Sequence, residues 1–218
     1  MSSAALYRAS GLSLILGAVL GIIGNILNTA LFSGNDPHQS LTPLWVVVML
    51  VSFTGDLLLL LGLPGVATRQ VERAGWPGFT GVLLTFIGGF LLTSLSAAGL
   101  IFQPWLAQVA PTLVAGDGPP AFFVFFLVAS VLFALGNILL GIAVMRAGIL
   151  PGFAGLLLVI GAALNVVAVP LSGIAGAIVA SIAFVLFAGG LGWIGYALTT
   201  ESRAEAVQSV SASSSIAR

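Results

Sequence analysis

Residues 122–145 read FFVFFLVASVLFALGNILLGIAVM, an apolar run without one charged side chain, and Arg146-Ala147-Gly148 closes it. Built as an α-helix at about 1.5 Å per residue, the run is roughly 36 Å long, enough to cross a hydrocarbon core of about 30 Å. Its apolar residues go all the way round, rather than forming the spaced stripe of a helix lying on a soluble core. Six such runs occur, at about 10–32, 44–66, 77–102, 122–145, 151–171 and 174–198. Backbone groups in lipid must be bonded within their own segment, so these runs are expected to be helices. A β-barrel would need short alternating strands instead. The sequence therefore predicts an all-α protein, a polytopic six-helix transmembrane bundle in one domain over 1–198. A disordered cytoplasmic tail is expected at 199–218.

Composition agrees with this class. Charged residues are 6% of the chain and hydrophobic residues 59%, with a mean hydropathy of +1.21. A soluble domain carries about 25% charged residues, and this chain has too few to cover a water-facing surface. Formal net charge is zero, so no nucleic acid partner is expected; the expected partners are the lipid bilayer, a second copy or other membrane proteins. Cysteine is absent, which excludes disulfides, thiolate metal sites and thiol catalysis. All basic residues are arginine, and with abundant Ala and Gly this usage suggests a GC-rich bacterial genome. Arg8 precedes the first run, but that run is too long for a signal peptide and no small-x-small cleavage site follows it.

Arginine placement sets the expected orientation. With six spans, Arg8, Arg69, Arg73, Arg146, Arg203 and Arg218 all fall on one side, and the loops at 33–43, 104–120 and near Ser172 carry none. Basic residues stay cytoplasmic. Both termini are thus expected inside, in the plasma membrane of a bacterium. In the outer loop at 103–120, Trp105, Leu106, Val109 and Leu113 suit the headgroup level, with Pro111 interrupting any helix there. Trp193 and Tyr196 read as aromatic-belt residues at the inner end of the last span.

The chain also reads as repeated two-helix hairpins. PGFTGVLL at 77–84 matches PGFAGLLL at 151–158, and both open an odd-numbered span from the inside. Gly11 to Gly17 repeats the interval from Gly155 to Gly161. Phe133-Ala134, Gly136, Gly141 and Ala143 match Phe187-Ala188, Gly190, Gly195 and Ala197, and Gly55-Asp56 aligns with Gly136-Asn137. Two-span repeats keep one orientation, unlike the inverted repeats of many transporters. Small residues suit close packing: Gly17 and Gly21 form a GxxxG, and Gly173, Ala177 and Ser181 form a second row. Packing inside the bundle is expected of these rows ahead of dimerisation. Pro64 and Pro170 are expected to bend or end their helices.

Asp56 is the one acidic residue inside a predicted span. A carboxylate at that depth costs about 2.5 kcal/mol or more on insertion scales, so it must face the bundle interior or a wet cavity. Counting along the spans puts Asn25, Asn137 and Asn165 within a few residues of its depth, with Asn28 further outward. The expected site is an intramembrane polar layer of Asp56, Asn25, Asn137 and Asn165. Three uses fit it. The first is packing glue in a non-enzymatic membrane protein, structural, interacting or stress-related. The second is a proton or cation waypoint in a small transporter or channel. The third is a pocket for a lipid or small ligand. A proton path usually needs a chain of titratable groups, and the spans offer one, so glue leads at this stage.

Catalytic and metal signals are missing, and no catalytic, cofactor-binding or metal residues are expected. His38 is the only histidine and lies in the first outer loop beside Asp36. It cannot form a metal set or ligate haem between spans. Proteolysis by paired aspartates would need a second acidic residue in a span.

RAGILPGFAG at 146–155 with its Leu-rich continuation, and GWIGYAL at 192–198, resemble segments of uncharacterised bacterial multi-span membrane proteins of the domain-of-unknown-function kind. The resemblance covers spans four to six. It implies a bacterial plasma-membrane protein of about six helices and carries over no functional residues. In layout alone, the three-hairpin plan is similar to small bacterial stress-response membrane proteins.

Overall fold

The computed structural model describes residues 3–32, 36–115, 119–171 and 173–216. Its helices are α1 (Ser3–Phe32), a 3₁₀ turn at Pro37–Leu41, α2 (Pro43–Val109), α3 (Pro111–Ala115), α4 (Pro120–Ala147), α5 (Gly152–Ala168) and α6 (Gly173–Ile216). No strand occurs among the described residues. Five helical segments are long and apolar enough to cross a membrane: Ala5–Phe32, Pro43–Gln70, Gly75–Val109, Pro120–Ala147 and Gly173–Thr200. The chain is thus a membrane-embedded helical protein. The fifth predicted span, 151–171, is realised as the 17-residue α5, which at about 1.5 Å per residue is roughly 25 Å long.

Helix boundaries depart from expectation in three further places. A loop was expected around Arg69 and Arg73, yet helix continues through this stretch and the second and third predicted spans form one element, α2. The break is a single residue, Gly75, at φ 55 and ψ −156, a conformation glycine adopts without the clash a Cβ would bring. Leu60 and Gly89 touch across this break. They lie nearly equally far from it along the chain, so the two arms of α2 run antiparallel. At the far end of α2 the helix runs on through Pro104 to Val109, into the expected outer loop at 103–120. The third departure is the tail, where α6 continues helical past Thr200 to Ile216. Extending an existing helix is cheap, and Ala204, Glu205, Ala206 and Gln208 are good helix formers. Pro64 is accommodated inside α2, whereas Pro170 follows the end of α5. Thr42 caps α2 by accepting the Trp45 N–H, Pro111 opens α3, and Gly148 ends α4 in the left-handed region at φ 65.

Six helical rods, counting each arm of α2, close into a ring. α1 packs on the first arm, the second arm on α4, α4 on α5, α5 on α6, and α6 back on α1. Glycines set these approaches. A Cβ on Gly17 would sit 2.7 Å from the Leu59 nitrogen, and one on Gly55 would sit 2.6 Å from the Gly21 Cα. Gly11 and Gly195 face each other, as do Gly141 and Gly155, so that a Cβ on Gly11 or Gly155 would meet the opposite carbonyl oxygen at 2.6 Å. Small residues let helix backbones approach closely where lipid supplies no hydrophobic drive for association. Both members of the Gly17–Gly21 pair are spent on such internal contacts.

These contacts also level the rods. Ser10 lies against Gly65, and Gly11 against Gly195 and Thr199. The start of α1, the Gly75 break, the α4–α5 turn and residue 199 therefore share one end, the arginine end. In this half the interior is filled by Leu14, Leu63, Val66, Leu140, Val144, Leu158, Leu191, Ile194 and Leu198. The outside is an apolar belt; on α1, Leu12, Leu16, Val19 and Ile23 are exposed at helical spacing, opposite Leu14, Ala18 and Gly21. Trp76, Phe79 and Phe153 are exposed near the arginine end, and Trp105, Val109 and Leu113 near the other.

Candidate functional site: a cavity around Asp56

In the half of the ring remote from the arginines, the interior is hollow. A cavity of about 260 Å³ is lined from all six rods. The lining residues recur at helical spacing: Gly21, Asn25 and Asn28 on α1; Met49, Ser52 and Asp56 on the first arm of α2; Gly89, Leu92, Thr93 and Ser96 on the second. Asn165 enters from α5, Phe133 from α4, and Phe184 and Phe187 from α6. Residues three, four and seven apart share one face of a helix, and here that face looks inward.

Asp56 owes its direction to its neighbour. Gly55 is pressed on the backbone of Leu20 and Gly21, which fixes the rotation of the first arm. The next residue then turns toward the ring interior. Asp56 is half-buried, and among the described residues no side chain gives its carboxylate a hydrogen bond or an ion pair. Beside it, Ser52 donates to the Val48 carbonyl at 3.0 Å, and Ser96 to the Leu92 carbonyl at 3.3 Å. The Ser181 hydroxyl donates to Asn25 Oδ1, tying α6 to α1. Interhelical bonds of this kind average about 0.6 kcal/mol in membranes. Ser181→Ala is therefore expected to lower unfolding free energy in mixed micelles by about that amount, as equilibrium denaturation would measure.

Aromatic rings close the cavity toward the arginine end. Phe133 and Phe187 meet edge-to-face with centroids 4.8 Å apart, and Phe184 and Phe187 at 6.0 Å. With Leu59 and Leu60 they form a floor that continues into the packed half of the bundle.

Of the predicted polar layer, Asp56, Asn25 and Asn165 come together around the cavity, joined by Asn28. Asn137 does not line it. That residue lies one helical turn beyond Phe133, beneath the floor, fully buried, and donates to the Phe133 carbonyl at 2.8 Å. Its Oδ1 has no partner, nor has the buried hydroxyl of Thr85, a residue pressed against Gly136, nor either amide atom of buried Gln70 nearer the arginine end. Buried polar groups without a partner are costly and rare. The sequence reading missed Ser52, Thr93 and Ser96. Ser52 had a signal, sitting one turn before Asp56.

His38 is exposed and uses its backbone N–H to bond Asp36 Oδ1 at 2.9 Å. No group of three or more His, Cys, Asp or Glu side chains able to hold a metal occurs among the described residues. Comparison with protein-family models, with curated proteins and with solved structures finds no match to this chain.

Proposed function

We propose that this protein binds a small polar solute inside the membrane, at Asp56, and carries it across. The observation that carries the reading is the cavity itself: a carboxylate without a side-chain partner among the described residues lines a space bounded by every rod of the ring. Packing glue predicts the opposite, a dry surround with amides bonded to the aspartate. A concave, mostly apolar site with a few convergent polar groups is the usual form of a small-ligand pocket. Passage beyond the pocket is supported by unpartnered polar atoms beneath the phenylalanine floor: the Thr85 hydroxyl, Asn137 Oδ1 and both amide atoms of Gln70. They offer polar stations that a packed apolar core would omit.

In this reading α5 also crosses, giving six spans. Its support is the antiparallel seating of α5 between α4 and α6, through Gly141–Gly155 at one level and Gly161 against Ala183 at another. The arginine end then faces the cytoplasm of a bacterial cell, the pocket faces outward, and the protein works without enzymatic chemistry. The repeated-hairpin reading gains support as well. The Gly11–Gly195 and Gly155–Gly141 contacts join positions that the sequence repeat equates.

Uptake into proteoliposomes tests the proposal with a panel of small cationic, neutral and anionic solutes. At least one is expected to enter saturably through the native protein and not through Asp56→Asn. If none binds or moves, and Asp56→Asn changes only thermal stability, Asp56 is packing glue.

A further inference from the structure

The pocket's charge pattern narrows what it takes. Among the described residues Asp56 is the only ionisable side chain lining the cavity, and none of Arg8, Arg69 or Arg146 reaches it. A cation bound beside a carboxyl favours its ionised form, which is acceptor-only and takes a donor from the ligand. Charge-assisted N–H···O⁻ bonds are roughly twice as strong as neutral ones. An anion would find no cationic side chain to pair with among the described residues of the lining. A bare metal ion fares no better: calcium takes six to eight oxygen ligands at about 2.3–2.6 Å, and a space of about 260 Å³ with one carboxylate is too wide and too poor in charge. The rest of the lining fits an organic body. Phe133, Phe184 and Phe187 give an apolar, π-rich surface on one side, and rings of this kind also attract cations.

We infer that the pocket selects small organic ammonium ions, with the cationic nitrogen on Asp56 and an apolar or aromatic body on the phenylalanine floor. This rests on the pocket reading above and adds the ligand's charge class to it. The ammonium supplies the partner that the carboxylate lacks, and the amide of Asn25 or Asn165 can accept a further N–H.

Three probes of nearly the same shape test it: 2-phenylethylammonium, 2-phenylethanol and phenylacetate, titrated calorimetrically into the full-length protein in lipid nanodiscs at neutral pH. The ammonium is expected to bind at least tenfold more tightly than the alcohol, and phenylacetate not at all. Asp56→Asn should bring the ammonium and alcohol within about twofold of each other, and Asp56→Glu should keep the preference. Equal or tighter binding of the alcohol to the native protein overturns the cation inference and leaves the pocket standing. Ammonium preference that survives Asp56→Asn overturns it too, since the charge then acts elsewhere. Failure of all three probes to bind removes both the inference and the pocket reading.

Discussion

Asp56→Asn is expected to reduce solute binding and flux at least tenfold while the protein keeps, or slightly gains, thermal stability. The two effects have opposite signs for a physical reason. An aspartate in the middle of a span costs about 2.5 kcal/mol or more on insertion scales, and among the described residues no side-chain hydrogen bond to the carboxylate returns any of it. The amide keeps the shape and removes the charge, so the fold has little to lose. A bound solute loses its charge partner, and tenfold corresponds to about 1.4 kcal/mol. Loss of activity with unchanged or higher stability marks a group held for function. Glue predicts the reverse, a fall in stability, and unfolding in mixed micelles run beside the flux assay separates the two.

Gly55→Val is expected to do severe structural damage at the contact between α1 and the first arm of α2. A Cβ there would enter the backbone of α1, 2.6 Å from the Gly21 Cα and 3.0 Å from the Leu20 carbonyl carbon. Backbone cannot rotate away as a side chain can, so the rods must part. Overpacking typically costs 1–3 kcal/mol and occasionally more, and this site belongs at or above about 3 kcal/mol. The displacement also turns Asp56, so binding should fall together with stability. Gly189→Val is the control. No atom lies within 4 Å of a Cβ built there, and its effect should stay within about 0.5 kcal/mol. Equal effects at the two positions would mean that the Gly55 approach does not organise the ring.

Much of this architecture was legible in the sequence because a bilayer fixes the length of what crosses it. The run at 122–145 matches α4 closely, and the arginines mark one end. Depth could be counted at 1.5 Å per residue, which brought Asp56, Asn25 and Asn165 to one level. Rotation about the helix axis could not be counted. α4 is apolar on every side, so nothing along it said whether Asn137 would face the cavity; it lies a turn below Phe133 instead. The cavity was invisible for a related reason. A void arises between rods, and sequence spacing describes one rod at a time. The Gly75 break was hidden because Arg69 and Arg73 read as loop, although arginine is a good helix former.

In the conformation described, water and solute are expected to reach the Asp56 pocket from the end remote from the arginines, with the phenylalanine floor closed beneath it. The protein contains no cysteine, so each introduced thiol is the only one. Thr93, a buried residue, lines the pocket, and Ala188, fully buried, packs in the core on the arginine side of Phe187. In intact cells, a membrane-impermeant thiol reagent added outside is predicted to label Thr93→Cys and to leave Ala188→Cys untouched. A Thr93→Cys protein that stays inert from outside, or reacts only from the arginine side, would contradict the account.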